Sequence, residues 1–280
     1  MRIDLHTHSA VSDGTDTPSG LMHAAAASGI DVVALTDHDT TAGWGEAAAA
    51  VAATGVALVR GTEISTRAGG ISVHLLSYLH DPEDPSLVAM LERSRDSRET
   101  RAQRMVERIA EDLPLTWADV EEQAADGATI GRPHIADALV ARGHVADRAA
   151  AFRSLLHPSG PYYVRYWAAE TADAVAAVRA AGGVPVMAHP RAAARGRVVS
   201  TAVVAELADA GLAGIEADHL DHTPDDREAL RALAAELGLL VTGSSDYHGT
   251  GKPNRLGAFT TAVEVLEEIE RQGRLPVLRP

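Results

Sequence analysis

Short apolar runs rich in Val, Ile and Leu alternate along most of this chain with longer alanine-rich amphipathic segments. That alternation limits the fold to βα units whose strands are buried inside a ring of helices. Ile3 to Leu5, Val32 to Leu35, Val56 to Val59 and Ile71 to Leu76 read as the first four strands. Val184 to Ala188, Gly214 to Glu216 and Leu239 to Thr242 read as three more. Pro18 to Ser28, Gly45 to Ala53, Ala169 to Ala181, Thr201 to Ala210 and Pro224 to Leu237 read as helices. Thr223 and Pro224 supply the last of these with an N-cap and a first-turn proline.

The rhythm breaks between roughly Ser86 and Trp167, where about eighty residues separate the fourth strand from the fifth, far more than an ordinary βα loop. An α/β barrel made of 1–85 and 168–280, with a helical subdomain inserted at 86–167, is the expected organisation. Within the insertion, Leu91 to Asp112 reads as one long solvated helix. Thr116-Trp117-Ala118-Asp119 opens another, Gly131-Arg132-Pro133-His134 enters a third ending at Ala141, and a short one lies near Ala146 to Leu156.

At 280 residues one main domain is the default. The formal net charge of −14 argues against a broad basic surface for gripping duplex nucleic acid, and leaves room for a local basic pocket. With no cysteine there are no disulfides or thiolate metal sites, so any metal must rest on nitrogen and oxygen, and a cytoplasmic setting is favoured. Met1 leads straight into a His-rich segment without a signal-peptide pattern, and no run approaches the ~18 apolar residues of a membrane span. A soluble protein without membrane contact is expected.

His6-Thr7-His8 places two imidazoles at i and i+2 of one strand, on the same face, where both can meet one ion at the strand's C-terminal end. Asp13 follows in a turn freed by Gly14. Thr36-Asp37-His38-Asp39 comes directly after the second strand, and in a barrel of βα units the strand ends converge on one mouth. Glu63 follows the third strand, His74 lies in the fourth, His189-Pro190 ends the fifth, and Asp246 and His248 repeat the i, i+2 spacing after the last. Each residue alone reads as a turn, capping or packed side chain. Together, six strand ends carrying His6, His8, Asp13, His38, Glu63, His74, His189, Asp246 and His248 point to a metal site.

These motifs, with Gly61-Thr62-Glu63 and Ser245-Asp246-Tyr247-His248-Gly249, span the chain in order and resemble the polymerase-and-histidinol-phosphatase (PHP) superfamily of metal-dependent phosphoesterases. The resemblance implies a distorted seven-stranded, TIM-like (βα) barrel and two or three divalent ions such as Mn, Fe, Zn or Mg. It implies that His6, His8, Glu63 and Asp246 hold one ion, that Glu63 bridges to a second on His74 and His189, and that Asp13, His38 and His248 hold a third. No ligand position is missing. Such ions would generate a bridging hydroxide as nucleophile and neutralise the phosphoryl oxygens. The leaving alcohol needs an acid, for which His222, His134 and His189 are candidates.

Arg suits phosphate recognition. Arg132 and His134, in the insertion that the resembling subgroup folds as a lid, are candidate substrate contacts, as are Arg191 and His222. Arg195, Arg197, Lys252 and Arg255 are weaker ones. Asp218 stands where relatives often have an aromatic residue after Glu216. The insertion and the Gly-Arg-Pro-His element resemble the branch acting on 3′,5′-bisphosphate nucleotides, AMP-like monophosphates and the 5′ ends of short RNA. A histidinol-phosphate phosphatase shares the ligands, and a non-catalytic scaffold module is the reading from another class.

Overall fold

The computed structural model describes residues 1–125 and 127–280. Seven strands form one sheet in the order β1 (Ile3–Thr7), β2 (Val32–Leu35), β3 (Ala57–Ala68), β4 (Ile71–Tyr78), β6 (Val184–Met187), β7 (Gly214–Asp218) and β8 (Leu240–Gly243); a two-residue strand β5 (Ala169–Glu170) pairs with β3. A parallel bridge between Thr7 and Tyr247, with the His8 N–H donating to the Tyr247 carbonyl at 2.8 Å, joins the two ends of the sheet into a nearly closed barrel. Helices α1 (Pro18–Ala27), α2 (Trp44–Thr54), α7 (Thr171–Ala180), α8 (Thr201–Asp209), α9 (Pro224–Leu237) and α10 (Val263–Gln272) accompany it. The Thr223 cap is present as a reciprocal pair with Asp226.

Several expectations need correction. The third and fourth strands are not successive parallel units: β3 and β4 form an antiparallel hairpin, and β4 also runs antiparallel to β6. Gly69 and Gly70, at φ 57° and 78°, make its turn, a conformation that glycine adopts without a Cβ clash. Consequently Glu63 lies in the middle of a 12-residue strand and His74 near the start of its strand, not at C-terminal ends. Ala169 and Glu170 belong to a strand rather than to the helix that follows them. Helix α10 was not anticipated, although Val263, Leu266 and Ile269 recur at helical spacing.

Apolar clusters set the layers. Ile3, Leu5, Val32, Ala34, Val59, Leu76, Val184 and Val186 pack together with Leu266 and Ile269 of α10. Val33, Leu35 and Leu58 meet α1 and α2, while Ile64, Leu75, Met187 and Ile215 meet α7, α8 and α9. Between β4 and β5 run α3 (Pro85–Ala110), α4 (Trp117–Glu121), α5 (Arg132–Ala141) and α6 (Arg148–Arg153). Leu87 and Leu91 at the start of α3 join the barrel's cluster, whereas Ala102, Met105 and Ile109 join Ile135, Leu139, Ala151 and Leu156 in a separate one. Helix α3 is therefore not simply solvated. Arg98 and Arg101 on it are 6% and 5% exposed, which is unusual for arginine without full pairing.

Candidate metal centre

The site is built where β1 gives way to a turn. His6 and His8 leave β1 with their Nε2 atoms 3.1 Å apart, as the i, i+2 spacing requires. The turn folds back so tightly that a Cβ at Gly14 would lie 2.5 Å from the His8 carbonyl oxygen, so only glycine fits. Asp37 stabilises the turn by accepting from the Ser9 N–H, the Ser9 hydroxyl and the Ser12 hydroxyl. This places Asp13 Oδ1 3.3 Å from His248 Nε2 and Asp13 Oδ2 3.7 Å from His38 Nε2.

Glu63 occupies the centre. Its Oε1 lies 2.7 Å from His74 Nδ1 and 3.1 Å from His189 Nε2; its Oε2 lies 3.1 Å from His38 Nδ1 and 3.2 Å from His8 Nε2. The β3–β4 register, which pairs Glu63 with Leu76 and Ser65 with His74, makes Glu63 and His74 diagonal neighbours. Asp246 Oδ1 stands 3.5 Å from both His6 and His8, while its Oδ2 accepts from Arg195 at 2.6 Å and Lys252 at 3.2 Å. All nine expected donors thus converge. They fall into sets that could each hold an ion: His8, Asp13, His38 and His248; His6, Glu63 and His189; His6, His8 and Asp246; and His38, Glu63 and His74. His38 belongs with Glu63 as well as with Asp13, a closer link than the expected partition gave.

The three carboxylates and the imidazoles of His38, His189 and His248 are pushed towards the forms that bind a cation, whereas His6, against the effect of burial, is raised well above its ordinary value by Glu63, Glu216 and Asp246. Burial alone would push the carboxyls of Asp13, Glu63 and Asp246 up, yet each is held well below the usual range. His248 and His38 do this for Asp13, His74, His38 and His6 for Glu63, and Lys252, Arg195 and His248 for Asp246. Burial, with Arg195 nearby, lowers His189 to about 3; burial, with Lys252 nearby, lowers His248 to about 4. His38 Nδ1 and His248 Nε2 are buried without a hydrogen-bond partner. Ionised carboxylates beside the imidazoles of His38, His189 and His248, all lowered in pKa, fit divalent ions bound through nitrogen and oxygen. His189 and Asp246 adopt left-handed backbone, at φ 30° and 53°, strain of a kind that gathers at functional sites.

The expected substrate contacts are placed less uniformly. His222 donates from Nδ1 to the Ala217 carbonyl at 2.8 Å and accepts the Arg191 N–H on Nε2 at 3.1 Å. Both ring nitrogens are occupied, so His222 holds the loop and has none left for substrate. The Arg191 side chain is half-buried and makes no hydrogen bond among the described residues. His134 caps α5 by accepting the Gly131 N–H, and Arg132 lies over the Phe152 and Tyr163 rings at 5.4 and 6.0 Å. Asp218 pairs with Arg231 rather than facing the mouth. Sequence reasoning gave no role to Glu216, which meets His6 Nδ1 at 3.1 Å and accepts the His189 N–H at 2.9 Å.

An open sheet bent into a barrel, with nine histidines and carboxylates gathered at one place, defines a metal-dependent hydrolase of phosphate esters. The PHP domain profile matches residues 4–113, and the chain belongs to the PHP family of phosphoesterases. It is 35% identical to a 3′,5′-nucleoside bisphosphate phosphatase of Chromobacterium violaceum, over 99% of this chain and 98% of that protein. It is 34% identical to a 5′-3′ exoribonuclease of Haemophilus influenzae, over 88% of this chain and 90% of that protein. A crystal structure from Bifidobacterium adolescentis, provisionally assigned to the metal-dependent phosphoesterases, superposes with a TM-score of 0.95 at 43% identity, covering 97% of this chain and 96% of the other. Among the described residues no helix is long and apolar enough to cross a membrane.

Proposed function

We propose that the chain releases phosphate from small nucleotides, a nucleoside 3′,5′-bisphosphate before all, with AMP-like monophosphates and the 5′ ends of short RNA as related substrates. The observation that carries this reading is end-to-end likeness to a bisphosphate phosphatase over a donor cluster with no member missing. His6, His8, Glu63 and Asp246 would hold one divalent ion, Glu63 with His74 and His189 a second, and Asp13, His38 and His248 a third. Such ions, when bound, supply a hydroxide near neutral pH and neutralise charge on the phosphoryl oxygens.

The chain's own residues do the rest. Arg195 and Lys252 fix Asp246 through its outer oxygen and leave the inner one to the site. Residues 86–167 act as a lid, with Arg132 contributing charge to the substrate's phosphate. Of the three candidate acids, His222 is fully hydrogen-bonded and His189 lies against Glu63, while His134 lines a cavity of about 800 Å³ with Asp137, Arg148 and Lys252. Of the three, His134 is the candidate acid, through the Nε2 that its contact with the Gly131 N–H leaves over. The test is phosphate release, in added Mn, from adenosine 3′,5′-bisphosphate, AMP and histidinol phosphate, with elemental analysis of the purified protein. Preference for histidinol phosphate overturns the nucleotide reading; no bound metal and no turnover of any phosphomonoester would make the chain a scaffold.

A further inference from the structure

The stripe of α3 that faces the barrel begins with Leu87 and Leu91 and then turns to arginine, with Arg95 and Arg98 at the next helical spacings. Arg95 donates from Nη1 to the Asp39 carbonyl at 3.0 Å. Arg98, which is buried, donates from Nη1 to Asp39 Oδ2 at 3.2 Å and to Ser65 Oγ at 2.8 Å. A guanidinium taken out of water is costly unless it is paired, and an apolar stripe would cover the barrel without that cost. The two arginines instead converge on one residue.

Asp39 is fully buried and is bonded through each of its polar groups. Its Oδ1 accepts the Ser65 N–H at 2.8 Å, its Oδ2 accepts the Ser65 hydroxyl at 2.8 Å as well as Arg98, and its N–H donates to the Glu63 carbonyl at 3.0 Å. His38, the residue before it, forms a parallel bridge with Glu63. Asp39 thus stands between two donors of the metal cluster, next in the chain to one and tied through the backbone to the other. Its φ of 54° is left-handed, a conformation shared among the described non-glycine residues only by His189, Asp246 and Leu79. Such backbone persists where the surroundings over-determine it, and at Asp39 they do so from β3 on one side and α3 on the other.

We propose that Asp39 is a positioning residue of the metal centre: clamped between Ser65 of β3 and the two arginines of α3, it sets His38 against Glu63, so that the first helix of the insertion supports the centre. This rests on reading the nine donors as metal ligands. His38 belongs to two of the donor sets, one with Asp13 and His248 and one with Glu63 and His74, whereas His6, His8 and Asp246 form a set without it. Loosening Asp39 should therefore weaken the ions that His38 touches and spare the rest.

The experiment titrates Mn into chelator-stripped wild type, Asp39→Asn, Arg98→Met and Arg98→Lys, with His38→Ala as the reference, and reads the number of bound ions and their affinities by calorimetry and EPR. Asn keeps the shape of Asp39 and tolerates its φ, but it brings no charge to Arg98. Asp39→Asn and Arg98→Met should weaken the same binding steps as His38→Ala, by about 10- to 100-fold, and leave the remaining steps at wild-type affinity. Arg98→Lys, which keeps a charged donor, should recover much of the loss. A merely structural clamp would lower the melting temperature of the stripped protein with every Mn step unchanged, or weaken all steps together; either result overturns the inference. Should Asp39→Asn or Arg98→Met fail to fold, the half-buried Arg95→Met carries the same comparison. Variants that bind Mn as wild type does overturn this inference alone, and a wild type that binds no Mn overturns it together with the metal reading. None of these readouts needs turnover, so the nucleotide reading stands or falls separately.

Discussion

His6 faces the donor cluster with Nε2 while Glu216 holds its Nδ1, and the other Glu216 oxygen takes the His189 N–H. Burial would raise the Glu216 carboxyl, but His6 and His219 bring it to about 2, so it is ionised at neutral pH. A carboxylate behind a ligating imidazole fixes the ring's tautomer and raises its basicity. Glu216→Gln should therefore leave the melting temperature of the chelated protein close to that of wild type and weaken Mn binding by about 10- to 100-fold, read by metal titration. Unchanged affinity would make Glu216 a packing residue. The nine donors were legible in the sequence because each follows or sits in an apolar run. Glu216 was not, because its partner His6 is 210 positions away and nothing local distinguishes a carboxylate that orients a ligand from one that ends a strand. Arg98 and Arg101 were hidden for a related reason: in a helix crowded with charge, only the barrel beneath reveals which face is buried.

The turn after β1 carries Asp13 on a backbone that touches His8, and Gly14 is the point of contact. Gly14→Ala would force the His8 carbonyl aside, an overpacking expected to destabilise the fold by about 1–3 kcal/mol. Because the displaced atoms lie between His8 and Asp13, the variant should lose Mn affinity as well as melting temperature; loss of the latter alone would mean the turn relaxes away from the site. The hairpin of β3 and β4 is the element that sequence reading misjudged. Gly69-Gly70 is a recognisable hairpin signal, but Arg60, Thr62, Glu63 and Thr66 interrupt the apolar pattern and conceal that β3 continues past Val59 to its turn. The strand is long because it serves the barrel with its first half and presents Glu63 and Ser65 with its second.

At the scale of the whole molecule, stability should depend on acid. His80 is fully buried against Trp44, accepts the Ser77 hydroxyl on Nδ1, and leaves Nε2 unpartnered. Burial, more than any neighbour, lowers it to about 4 from 6.5. Between those values the unfolded chain binds the extra proton, so the contribution is complete above pH 6.5 and is lost as pH falls towards 4, at roughly 3 kcal/mol in full. In chelator, urea unfolding of wild type should lose more stability from pH 7 to pH 4 than His80→Phe does, and equal losses would remove His80 from the account. His189 and His248 pull the same way, which is why the comparison is made at one site.

The barrel's closure by one bridge between Thr7 and Tyr247 has a consequence for the order of events in making the protein. The donors at its two edges, His6 and His8 on one side and Asp246 and His248 on the other, are neighbours in space but about as distant along the chain as the sheet allows. A nascent chain lacking β8 holds seven of the nine donors, without Asp246 and His248, and no complete ring, and bringing the edges together carries the entropic cost of one very long loop. The full set of nine donors should therefore assemble late, when the last strand docks, and a half-made chain lacks it.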